Sequence, residues 1–291
     1  MIIFLRRFAH YAVYLLAGGV ILLSCFALAL RVLIMPDIGR YKADIEAGAG
    51  RAVGMPVKIG EIRADWSHLN PRFSLRGLTL VPAGQPAPLR LDRVDATLSW
   101  LSLALMEPHL VSLDIDRPTL EIRRDQTGVI LVAGIPVNSS GASSPFPDWL
   151  LRQRSVMVND GKVVWIDEML AAPPLNLNHV NLGLASRFSR HRFGLTAQPP
   201  ASAAQRIDLR GDLNGHSVHD LAGWHGQLYL RADAAAAAGL NTWSPWAQSS
   251  VKRSLGNVRF WADIDQGRIQ SVTGDVGLAD VAVSLAADLP T

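Results

Sequence analysis

Three histidines stand close together in the chain, His216, His219 and His225. A trio like this is the first place to look for a metal site. Its spacing matches no common ligand pattern, and no Cys or Glu joins it. Solvated loop histidines account for it, so no metal is expected. Asp114 and Asp116 lie two apart, which puts both carboxylates on one face of a strand. They alternate with Leu113 and Ile115, as a solvated strand face would, and no second acid pair or positioned base accompanies them. Trp243 and Trp246 have helical spacing, and packing against the end of a sheet is their simplest role. The glycines form no phosphate-binding loop, and no serine sits in a GxSxG elbow. Cys25 is the single cysteine, which leaves the rest of the chain without a disulfide or a cysteine-based metal site. The expectation is a protein that is not an enzyme and needs no cofactor.

The elements that would carry these residues begin with an uncharged stretch, Tyr11 to Leu30. About 20 such residues in a helix cross about 30 Å of hydrocarbon. Arg6 and Arg7 precede it with no acidic residue, which places the N-terminus in the cytoplasm and translocates the rest. Ala27-Leu28-Ala29 resembles a signal-peptidase site and Cys25 a lipidation site. The apolar run is too long for the first and continues past the second, so a retained anchor is the preferred reading. The expected organisation is a cytoplasmic segment (1–10), a transmembrane helix (11–35), an amphipathic linker helix (36–56) and a periplasmic β-rich domain (57–291). The linker helix is drawn from Ile38, Tyr41, Ile45 and Ala49 at helical spacing.

From Val57 the apolar period becomes two. About a dozen short alternating segments follow, separated by turn residues, which predicts an antiparallel sheet with one apolar face per strand. Leu89 and Leu91 give way to Val94, Ala96 and Leu98 in shifted phase, which predicts a bulge, and an irregularity is also expected at Gly77. Asn159-Asp160-Gly161 reads as a hairpin turn, Asp265-Gln266-Gly267 as another, and residues 239–252 as a helix. Few helices are available to cover the apolar faces. Two sheets could cover each other, one sheet could curl on itself, or the apolar face could line a groove. Periodicity does not choose among them. A net charge of +3 with scattered arginines speaks against a nucleic-acid partner.

Several features in order carry a family resemblance. They are the N-terminal membrane helix, GMPV at Gly54 to Val57, and ADWSHLNPRFSLRGLTL around Trp66. LRLDRVDATLSWLSLALMEPHL, VSLDIDRPTLEIRRDQTG, the DWLLRQRSVMVNDGKVVWID block and WSPW then follow. In this order and spacing the chain resembles the N-terminal portion of the AsmA-like proteins of Gram-negative bacteria, most closely the YhdP branch, whose members are longer. The resemblance implies a mainly β fold: an elongated antiparallel sheet curled like a taco around an apolar groove, with a few short helices. It also implies an inner-membrane anchor, reach across the periplasm, and phospholipid movement toward the outer membrane in support of its permeability barrier. Membrane lipids and the inner membrane are then the expected partners, with other envelope proteins possible. The candidate lipid-facing residues are Phe73, Leu75, Leu98, Leu113, Ile115, Leu182, Leu184, Phe260 and Ala262. The alternative is a non-catalytic envelope scaffold that binds proteins through a sheet edge.

Overall fold

Where the apolar period changes in the sequence, the backbone changes too. A computed structural model describes residues 2–81, 88–105, 107–136, 145–170, 172–236 and 251–283. Helix α1 (Ile2–Ala29) continues into a π-helical turn at Leu30–Ile34, closed by Met35 N–H donating to Leu30 O at 3.0 Å. Within this stretch Tyr14–Ile34 is long and apolar enough to cross a membrane. A 3-10 turn at Ile38–Tyr41 leads to α2 (Lys42–Val53). Ile38 is buried, and Ile45 and Ala49 pack on the same core, as their spacing predicts; Tyr41 is exposed.

The strands are β1 (Val57–Lys58), β2 (Glu61–Ser67), β3 (Asn70–Leu80) and β4 (Leu89–Leu98). Helix α3 (Leu101–Leu105) precedes β5 (Leu110–Asp116), β6 (Thr119–Arg124), β7 (Ile130–Val132) and β8 (Ile135–Pro136). Helix α4 (Phe146–Leu151) precedes β9 (Ser155–Asp167), β10 (Leu175–Arg187), β11 (Arg190–Gln198) and β12 (Arg206–Asn214). Then come β13 (His225–Ala236), β14 (Val251–Asp265) and β15 (Arg268–Val283). All belong to one large, curled, unclosed sheet, ordered β1-β3-β4-β5-β9-β10-β11-β12-β13-β14-β15, with β2 beside β3 and β6–β8 attached at β9. Of the three arrangements that periodicity left open, the chain takes a single curled sheet around an apolar hollow. The predicted helix at 239–252, with Trp243 and Trp246, falls largely outside the described residues; Val251 already belongs to β14.

Pairing is antiparallel except at one seam. β5 and β6 both lie parallel to β9, so the N-terminal strands join the rest through a non-local contact. The connection between them passes through α4 and the fully buried Gln153. The Gln153 carboxamide oxygen accepts from Leu110 N–H at 2.7 Å, fixing the start of β5 against the approach to β9.

The seam also corrects one expectation. Asn159-Asp160-Gly161 is not a hairpin: β9 runs straight through it. Arg117 N–H donates to Asn159 O and Lys162 N–H to Pro118 O, both at 2.8 Å, and Asp160 N–H donates to Asn181 Oδ1 at 3.0 Å. Neighbours on both sides hold the chain extended. The tolerance of positive φ that suits these residues to a turn is used for a bulge instead, with Asp160 at φ 52°.

That bulge is one of a row. Apolar residues facing the hollow are spaced three apart instead of two at Ile59/Ile62, Leu75/Leu78, Leu91/Val94, Ile115/Pro118, Val158/Gly161 and Leu177/Val180. The strand registers align the first five steps at one height, and the β10 step follows one pleat further along, opposite Gly161 and Val163. Gly77, Arg117, Asp160 and His179 have positive φ along it. At Gly77 the predicted irregularity is present, with Gly60 N–H donating to both Arg76 O and Gly77 O. Bulges bend strands and strengthen local twist, so an aligned row of them creases the sheet and supplies its curl.

Candidate functional site

Residues directly opposite one another in a ladder point to the same face. The registers therefore trace rows across the sheet. One row runs Ile62, Leu75, Val94, Ile115, Val158, Leu182, Leu195, Leu209, Leu230, Phe260 and Gly274. The next runs Ala64, Phe73, Ala96, Leu113, Val156, Leu184, Phe193, Gly211, Leu228, Ala262 and Val272. Neither row contains a polar side chain from β2 to β15. Eight of the nine candidates read from the sequence lie in these two rows. The ninth, Leu98, sits at the strand end opposite Leu110 on the same inner face.

Two glycines in the rows make room for aromatic rings. A Cβ on Gly211 would lie 2.3 Å from the Phe193 ring, and one on Gly274 would lie 2.8 Å from the Phe260 ring. Each ring therefore lies flat over the neighbouring strand. This keeps the inner surface smooth where a side chain in place of glycine would force the ring upright.

Under α2 and α4 the inner face encloses a cavity of about 570 Å³, lined only by apolar residues apart from backbone. Ile45 and Ala49 from α2, and Phe146, Trp149 and Leu150 from α4, form its roof; Leu75, Val94, Leu113, Val156 and Leu182 are among its floor residues. Helix α4 is held in place by polar contacts at its edges. Trp149 Nε1 donates to Pro108 O at 3.0 Å. Asp148 accepts from Ser217 Oγ at 2.8 Å and from Val218 N–H at 2.9 Å. The candidate list drawn from the sequence missed α2, α4 and the middle rows from Leu195 to Leu230. The continued alternation in those strands was the signal for the rows; the roof has no local signal, because it depends on tertiary docking.

No charge enters these two rows; most charged side chains of the strands lie on the outer face, many of them paired, and the ion pair Arg124–Asp167 sits on the inner face at the strand ends. Arg190 and Asp212 form two hydrogen bonds at 2.7 and 2.6 Å, which hold the carboxyl below and the guanidinium above their usual ranges. Arg210 does the same for Asp208. Asp95 on this face is nearly buried, at 5% exposure. Burial pushes its carboxyl up, but the hydrogen bond from Ser74 and the nearby Arg72 and Arg93 outweigh burial and leave it below the usual range. Asp114 and Asp116 lie on this outer face, and Asp116 meets Asn159 at 3.1 Å. His216, His219 and His225 are exposed, and among the described residues no group of three or more His, Cys, Asp or Glu could hold a metal ion.

What the geometry offers is therefore an uncharged apolar trough carried on a charged outer shell, with one long apolar helix at its N-terminal end. A model of the YhdP protein family matches residues 1–291, the whole of the chain. The chain belongs to the YhdP family. No curated protein and no solved structure matches it. YhdP membership points to a lipid-transport-related role in the cell envelope, and with the apolar N-terminal helix it points to anchoring in the inner membrane.

Proposed function

We propose that this chain is a periplasmic lipid conduit, anchored by one helix in the inner membrane, that moves phospholipid between the inner and outer membranes along its apolar groove. That activity would support the outer-membrane permeability barrier. The observation that carries the reading is the pair of rows that stay apolar across eleven neighbouring strands of an unclosed sheet. An acyl chain in water costs about 0.8 kcal/mol per exposed CH₂, so a continuous apolar track removes most of the barrier to crossing an aqueous space. A track must not hold its cargo at fixed points, and the absence of charge along both rows suits sliding rather than capture. An open side leaves a polar headgroup in water while the chains lie inside. Arg6 and Arg7 before the apolar stretch favour a cytoplasmic N-terminus, which would put the sheet in the periplasm.

The test is lipid mass spectrometry on a soluble form beginning at Asp37, purified without detergent. Phospholipid should co-purify at near-stoichiometric levels, and Ile115→Asp with Leu182→Asp should remove it while circular dichroism stays β-rich. A well-folded protein with no lipid in either form would reject the conduit. The scaffold reading, binding through a sheet edge, would then stand.

A further inference from the structure

The outer face of the sheet carries mostly polar and charged side chains, and an aromatic pair interrupts it. Residues opposite one another share a face, so one outer row runs Gly194, Arg210, Tyr229, Trp261 and Thr273. The next runs Arg192, Asp212, Gln227, Asp263 and Ser271. Among the described strand residues, Tyr229 and Trp261 are the Phe, Tyr or Trp side chains on this face. Their ring centres lie 5.4 Å apart, and Trp261 stays 43% exposed. Cross-strand pairing accounts for the contact between the rings. It does not account for what faces them.

Between the two rows lies a cleft of about 320 Å³. Arg210, Tyr229 and Trp261 form one wall, and Asp212, Gln227 and Asp263 the other. Its floor is the backbone at Gly211, Leu228 and Ala262, whose side chains point inward. The polar wall is fixed by contacts of its own. Asp212 is held by Arg190 at 2.7 and 2.6 Å. Asp263 accepts from Gln227 Nε2 at 3.0 Å and from Ser271 Oγ at 2.6 Å. Acceptors already held in place lose little freedom when a ligand arrives.

The charges around the cleft select the ligand. Among the described residues no cation forms an ion pair with Asp263, so it and Asp212 repel phosphate and other anions. Arg210 lies beside the rings and opposes an ammonium or guanidinium stacked on them, which aromatic faces otherwise attract. A neutral ligand with one apolar face and a polar edge fits what is left. A pyranose ring has both. The C–H groups on its face meet the negative face of an aromatic ring, and the hydroxyls at its edge donate to carboxylates and amide oxygens.

We propose that this cleft is a saccharide-binding site, with a sugar ring stacked on Trp261 and Tyr229 and its hydroxyls bonded to Asp263, Gln227 and Asp212. Neighbouring strands lie about 4.8 Å apart, so the rows leave room for a glycan of several rings laid across them. Such a contact would tie the outer shell of the trough to a polysaccharide and leave the inner face free. The cleft is on the face opposite the groove, and the proposal does not depend on lipid being the cargo.

The full chain is held in a zwitterionic detergent without a sugar headgroup. It is titrated with tetra-N-acetylchitotetraose and, separately, with cellotetraose, and saturation-transfer NMR is read on the ligand protons. Ring protons of at least one saccharide should take up saturation, and Trp261→Ala should weaken binding about tenfold or more. Gln227→Ala, which leaves both rings in place, should weaken it as well. Phe188→Ala, at an exposed aromatic residue outside the cleft, should leave it unchanged, with circular dichroism the same for all three variants. No transfer to either saccharide overturns the proposal, and so does transfer that survives both Trp261→Ala and Gln227→Ala. Trp261-dependent binding of trilysine without saccharide binding would make the cleft a cation site and overturns it too. Lipid content of the groove, measured on the same samples, separates the two ideas: saccharide bound over an empty groove rejects only the conduit, and a loaded groove without saccharide binding rejects only this site.

Discussion

At the scale of single residues, the outer face is where pH acts. Asp95 is nearly buried, and its carboxyl is held low in the folded state by Ser74, Arg72 and Arg93 against the cost of burial. A carboxyl whose folded pKa lies below its unfolded value contributes stability above the unfolded pKa. That contribution is lost as pH falls through the folded pKa. Asp95→Asn should therefore cost about 1.5–3 kcal/mol near neutral pH, the worth of hydrogen bonds to a charged group. The gap between wild type and variant in urea unfolding should narrow as pH falls below the ordinary carboxylate range. A gap that stays constant with pH would mean that the ion pairs around Asp95 contribute nothing. The two central inner rows carry no ionisable group; the nearest on that face is the buried His191, whose imidazole is pushed down by its burial.

Elements of the sheet were legible in the sequence where the signal is local. Phe73 and Leu75, Leu113 and Ile115, and Phe260 and Ala262 alternate with polar neighbours, and each pair points inward as alternation requires. The step from Leu91 to Val94 announced its irregularity, and the Asp265-Gln266-Gly267 turn is present with Gln266 and Gly267 both at positive φ. Asn159-Asp160-Gly161 was misleading because a bulge and a turn ask for the same residue chemistry, and only the neighbouring strands decide between them. The roof was illegible for a related reason: Trp149 and Ile45 face the groove through docking that no local pattern records. The docking of α4 is itself testable. Asp148→Ala removes both acceptors that tie α4 to the 215–224 loop. It should cost about 1–3 kcal/mol and speed amide exchange at Val218 without changing exchange in β9 or β12. Unchanged exchange at Val218 would show that the loop is held by other contacts, such as Trp224 Nε1 on Ser217 O.

At the scale of the whole molecule, curl and continuity come from different sources. Continuity follows from register: each hairpin adds one more residue to the same apolar rows. Curl follows from the bulges, five of them aligned and the β10 step one pleat away, which break the phase of neighbouring strands. The two are compatible because each bulge shifts both flanking inner positions together, so the rows on either side of the crease remain apolar.

The parallel seam at β9 has a consequence for how the molecule comes into being. Hairpin contacts from β9 to β15 join neighbours in sequence, and so do those from β2 to β5. Among the strand pairings, the meeting of β5 and β6 with β9 spans the longest stretch of chain, at the entropic cost of closing the loop that runs through α4. Assembly should then proceed as two zippers, one on each side of Gln153, with the join between them made last. Pulse-labelled amide exchange during refolding would register this order. β11 to β13 should gain protection before the β5–β9 ladder, and Gln153→Ala should slow only the later step. Simultaneous protection of all of them would mean instead that the sheet forms in one concerted event.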